Sequence, residues 1–153
     1  MNPASPLEKV SFANNELTFE VEYSRPFKKD RLIFGNKSEG ALVPFGEYWR
    51  TGANAATNFS INSEITISGI QLMSGKYRLY TVPGEEKWEV FVNSEADTFF
   101  AITEPDSTKD LMSFTVTPQQ LKEPVEQFTI DFIPSPPTGP SSTGLRLRWD
   151  LTE

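Results

Sequence analysis

The 153-residue chain contains no cysteine and no histidine. Those two gaps exclude more chemistry than any motif present supplies. Without thiolates or imidazoles there is no zinc site of the usual Cys/His kind, no cysteine nucleophile and no disulfide. Nor is there a Ser-His-Asp triad or a histidine general base. A catalyst made from this chain has carboxylates, tyrosine, lysine and arginine to work with. The lack of cysteine suits reducing and oxidising compartments alike. Long apolar runs are missing too: no stretch approaches 18 apolar residues, so no transmembrane segment is expected. The opening "MNPASPLEKV" has neither a basic n-region nor an apolar h-region and does not read as a signal peptide. Either the protein is made without a leader, or this is a mature form from which one was removed. Clustered Asp/Asn with a bidentate Glu, the pattern of a calcium loop, does not occur. No metal and no cofactor is expected.

What is present is acidic overall and basic in one place. Against 21 acidic residues stand 14 basic ones, a net charge of −7, which argues against nucleic acid or an anionic membrane as a general partner. From Ser24 to Arg50, however, six basic residues (Arg25, Lys28, Lys29, Arg31, Lys37, Arg50) outnumber three acidic ones (Asp30, Glu39, Glu47), so this segment carries +3. An apolar share of 37% with twelve phenylalanines is a globular composition. The length fits a single domain, 1–153, large enough to bury a real core.

Hydrophobic spacing points to strands. "ELTFEVEY" (16–23) puts Leu17, Phe19, Val21 and Tyr23 on one face and three glutamates with Thr18 on the other. Similar alternation runs through "TNFSIN" (57–62), around Ile65 to Ile67, from Tyr77 to Val82 and from Trp88 to Val92. It returns in 110–118, 125–133 and 144–151. Gly69, Gly75 and Gly84 mark turns. No apolar stripe has helical spacing, and Pro118 and Pro124 limit "TPQQLKEPVEQ" to one helical turn at most. The expectation is an all-β antiparallel β-sandwich of about eight short strands with one long ordered loop.

That loop is 24–56. Structureless stretches beyond about 12–15 residues are uncommon in compact domains and tend to be functional or disordered. Phe27, Leu32, Ile33, Phe34, Leu42, Val43, Phe45, Tyr48 and Trp49 give it enough apolar surface to pack. The Pro/Ser-rich stretch 134–144 reads as a loop before a last strand, since only nine residues follow it.

"YSRPFKKDRLIFG" (23–35), "LVPFGEYWRTGANAAT" (42–57) and "LMSGKYRLYTVP" (72–83) together resemble a bacterial family, domain of unknown function 2911. The likeness runs from "ASP" at Ala4 to Pro6 through "LRWDL", essentially the whole chain. It implies an all-β domain, often in an extracytoplasmic setting (periplasmic, envelope or secreted), with the cytoplasm still open, and it brings no activity. The chain departs from the pattern in two places. "SEADTFFAITEPDS" stands where a Trp-Gly pair is expected, and "NKSEGA" (36–41) looks inserted.

Candidate ligand-binding residues are Arg25, Arg31, Tyr48, Trp49, Arg50, Thr51 and Asn54. Arginine is suited to carboxylate or phosphate because its planar fork donates two parallel hydrogen bonds. The tyrosine, threonine and asparagine add polar handles, and Trp49 a ring wall. The competing reading has each arginine stapling the long loop, Trp49 anchoring it, and Gly52 and Asn54 shaping a turn. No catalytic residue is assigned. Of the functional classes, a non-catalytic module for a small anionic or carbohydrate ligand or a protein partner is favoured. A structural or assembly protein of the envelope is the first alternative. A carboxylate-dependent hydrolase using Asp30 and Glu47 is the second, disfavoured because flanking arginines work against a general acid.

Overall fold

Alternating strands frame the molecule and one irregular loop fills its middle. The computed structural model describes residues 4–14, 17–96, 105–133 and 144–153. In chain order the first strands are β1 (Leu7–Asn14), β2 (Leu17–Ser24), β3 (Phe34–Gly35), β4 (Val43–Pro44), β5 (Thr57–Ile61) and β6 (Ile65–Ile67). Then follow β7 (Ile70–Leu72), β8 (Gly75–Val82), β9 (Trp88–Asn93), β10 (Asp110–Val116), β11 (Gln120–Ile133) and β12 (Gly144–Thr152). Six of them form one sheet in the order β1-β2-β5-β8-β9-β10, each neighbouring pair antiparallel. The second layer is the antiparallel β11–β12 ribbon.

The layers meet because each strand has one apolar side. β2 buries Phe19, Val21 and Tyr23, β5 adds Phe59 and Ile61, and β9 adds Trp88 and Val92. From the ribbon come Phe128, Ile130 and Trp149, all at or below 1% exposed. Phe132 packs on Phe12 and Phe19, and Phe128 lies edge-on to Tyr23 at 5.6 Å. This is the expected all-β antiparallel sandwich, with twelve strands among the described residues rather than about eight. The additional ones are β1, β3, β4 and β7. None of β1's residues is fully buried, so its inward face is only weakly marked by apolar side chains. β3 and β4 are two residues each and pair in parallel inside the loop. β11 is also longer than expected. It starts at Gln120 and takes Pro124 into the strand, at a register shift where a missing N–H costs little.

Two polar fastenings bind the layers. The phenol of Tyr23, 1% exposed, accepts from the Ile130 amide at 2.9 Å and donates to its carbonyl at 3.3 Å. Arg25 pairs with Glu8 and donates to the Phe128 carbonyl and the Thr129 hydroxyl, each at 3.0 Å. Within the loop 24–56, Ile33, Val43 and Trp49 are buried, and Lys37–Glu39 forms a 3-10 turn. Trp49 pairs its backbone with Thr81 of β8 and its ring with Trp88, Phe128 and Trp149. The Pro/Ser-rich stretch 134–143 and the divergent stretch 97–104 lie outside the described residues.

The core predicts its own boundary. Phe128→Ala should cost about 3–5 kcal/mol in urea unfolding, because a ring lost among three tryptophan and tyrosine neighbours leaves a cavity. Val116→Ala, at a position 44% exposed, should cost well under half of that in the same assay.

Candidate functional site

Loop segments 26–31 and 49–54, with Ala4, Ser5, Leu42, Val43 and Trp149, line a cavity of about 340 Å³. The first segment leaves β2 and pairs with β11. Phe128 donates its amide to Pro26, Lys28 donates to Glu126, and Phe27 bridges Gln127. It then turns on Lys29 and Asp30, closed by the Arg31 amide on the Lys28 carbonyl at 3.1 Å. Both central residues have positive φ, 52° and 56°, the type I′ pattern that normally selects Asn-Gly. Here it is made by lysine and aspartate.

The second segment is 49–54. Thr51 (φ 62°) and Asn54 (φ 59°) are also left-handed. A β-branched residue in that region is strained. Hydrogen bonds hold Thr51 there: its hydroxyl meets the Thr81 hydroxyl at 3.0 Å and the Trp49 carbonyl at 3.2 Å, and its carbonyl accepts from Thr57. Gly52, at φ 152°, passes so close to β2 that an added Cβ would lie 3.0 Å from the Ser24 carbonyl oxygen. Only glycine fits that crossing. Four of the six non-glycine residues with positive φ among the described residues therefore lie in the two loops that face each other across the cavity. Strain of this kind collects at ligand clamps and active sites.

The lining is cationic and aromatic. Lys29, Arg31 and Arg50 contribute the charge, Phe27 an accessible ring and Asn54 an amide, while Trp49 and Trp149 back the wall from the core. The two indoles stack 6.1 Å apart, 19° from parallel. Arg31 spends Nε and Nη2 on the carbonyls of Lys28 and Phe27, so Nη1 remains. Arg50 is half-buried and has no hydrogen-bond or ion-pair partner among the described residues. No aspartate or glutamate lines this cavity, whereas three other concavities of the molecule each include one. Beside the turn, the Glu126 carboxylate accepts the Lys29 backbone amide at 2.9 Å.

The structure thus gathers four of the seven sequence candidates, Arg31, Trp49, Arg50 and Asn54, and separates three. Arg25 is occupied by the ribbon and Glu8. Thr51 is fully buried behind the cavity wall. Tyr48 lies on the opposite face of the large sheet. There it accepts from the buried guanidinium of Arg78, which sits 5.8 Å and 5.9 Å from the Tyr48 and Tyr80 ring centroids. Tyr80 donates to Asp110 at 2.8 Å, and Asn93 donates to the same carboxylate. Lys29 and Trp149 were not singled out by sequence. Lys29 had a signal in the basic count, while Trp149 is a hundred positions from Trp49 and looks like any strand tryptophan. Asp30 and Glu47, the carboxylates a hydrolase would need, do not line the cavity, and Glu47 pairs with Lys37.

A family model described as "Protein of unknown function (DUF2911)" matches residues 5–153. The chain belongs to this family. No curated protein and no solved structure matches it. The DUF2911 match takes in both cavity loops and Trp149.

Two outcomes follow. Replacing Lys29-Asp30 by Asn-Gly should relieve the turn, raising stability by about 1 kcal/mol and the melting midpoint by about 2–4 °C. The second concerns alkali. Burial, with the Asp110 carboxylate second, pushes the Tyr80 phenol above its ordinary 10.0, and burial does the same to Tyr23. The folded state then holds these protons more tightly than the unfolded one, so the stability they contribute is full below pH 10 and drains away above it. Urea midpoints should drop between pH 10 and pH 12, and by less in Tyr80→Phe.

Proposed function

We propose that this DUF2911 protein is a non-catalytic binding module that takes a small anionic ligand in the cavity between residues 26–31 and 49–54. The observation that carries this reading is Arg50: a guanidinium with no partner among the described residues, in a cavity with two further cations and no carboxylate. A structural arginine would be expected to find a carboxylate or a carbonyl, as Arg25 does. The net charge of −7 sharpens the contrast, since a cationic concavity on an acidic surface concentrates anions locally. The volume stands at the lower end of the range of about 300–1,000 Å³ that small-molecule sites occupy. Phe27, half-buried, and Leu42, exposed, give the non-ionic part of a ligand an apolar wall to lie against.

A thermal-shift screen of sugar acids, sugar phosphates and inorganic anions tests it. Ligand at a hundred times its Kd stabilises the parent by about 2.7 kcal/mol, a shift of several degrees. The same ligand should leave Arg50→Ala unshifted while circular dichroism shows that variant folded. An equal shift in both proteins would overturn the assignment.

A further inference from the structure

The donors in the cavity are more numerous than one carboxylate can use. Arg50 offers its whole fork, Lys29 its ammonium, and Arg31 the one nitrogen not spent on carbonyls. A monocarboxylate has two oxygens and one charge, and a single arginine fork satisfies it. A phosphate monoester has three acceptor oxygens and between about −1.5 and −2 charges at neutral pH. Three cations without a lining carboxylate match the second far better than the first. The strained turn agrees with this. An Asn-Gly turn would form more easily but would remove the lysine, so the conformation is held by residues that suit the cavity instead of the turn.

Resting on the anion-binding reading above, we infer that the ligand is a phosphate monoester of a small ring-bearing molecule. Its phosphate meets Lys29, Arg31 and Arg50, and its ring lies against the half-buried Phe27 and the exposed Leu42 of the lining. A free phosphate ion offers the same head without the ring, and the test separates the two.

The protein lends itself to a direct measurement of the ligand's charge. Around the cavity the titratable side chains are Lys29, Arg31 and Arg50, with Asp30 and Glu126 beside the turn. With no histidine in the chain, the one side-chain type that ordinarily titrates between pH 5 and 8 is missing. A phosphate monoester, however, loses its second charge near pH 6. Calorimetric titration of the full chain with glucose 6-phosphate, glucuronate, glucose and inorganic phosphate should therefore give an ordered series. Glucose 6-phosphate is expected to bind about tenfold tighter than glucuronate and tighter than inorganic phosphate, with glucose not binding. Between pH 7.5 and pH 5.5 its affinity should fall about fourfold, following its own second ionisation, while glucuronate stays level. Lys29→Met should cost glucose 6-phosphate about tenfold and glucuronate little. Glucuronate binding as tightly as glucose 6-phosphate would overturn the phosphate inference and leave the anion site standing. Inorganic phosphate binding as tightly as the sugar phosphate would overturn the ring-bearing ligand. Failure of all three anions would overturn both the inference and the site.

Discussion

The indole of Trp49 is the contact on which the rest of the structure depends. It belongs to the long loop, yet its backbone completes a bridge to β8 and its ring touches Trp88 of the large sheet and Phe128 and Trp149 of the ribbon. A two-stranded ribbon is too narrow to cover six strands, and the loop makes up the deficit. Phe34 joins the same cluster, 5.1 Å from Trp88 and 5.5 Å from Trp49. Remove the central indole and three separate elements lose their shared neighbour. The irregular backbone on either side of Trp49 then has nothing to hold its strained angles.

That dependence explains how a site can exist on a loop without being soft. Loops carry function when a rigid frame positions them. Here the frame reaches into the loop through Trp49, Thr51 and the pairing of 26–28 with β11. The charged tips extend from these anchors. Lys29 is next to a residue hydrogen-bonded into a strand, and Arg50 lies between a buried tryptophan and a buried threonine. Their positions are set by neighbours that cannot move far, which would suit the anion binding proposed for them.

How much of this the sequence discloses varies with the kind of signal. β2 alternates cleanly because one face is buried and the other wet, and the DUF2911 motifs mark the loop. β1 escapes notice because an edge strand with a half-buried face needs little apolar contrast. Around the cavity, Arg31, Trp49, Arg50 and Asn54 all come from the one loop 24–56 that composition marks out. Trp149 is not marked out, since nothing local distinguishes a tryptophan that lines a cavity from one that fills a core. The separation of Tyr48 from Trp49 is the plainest case. In extended backbone adjacent side chains point to opposite faces, so one joins the aromatic core and the other joins Arg78 behind the sheet. Here, proximity in sequence does not give proximity in space.

The stacking of Trp49 on Trp149 also has a temporal side. A hundred residues separate them, so at synthesis rates of about 5–20 residues per second the loop emerges from the ribosome roughly 5–20 s before its partner. Through that interval the growing chain carries an aromatic, basic segment with no second layer to receive it. Elementary chain motions are finished in microseconds to milliseconds. The wait is imposed by translation, not by folding, and it falls on the segment most able to attract the wrong company. The nascent protein is thus most exposed to chaperones, and to aggregation, through the same residues that later enclose its cavity.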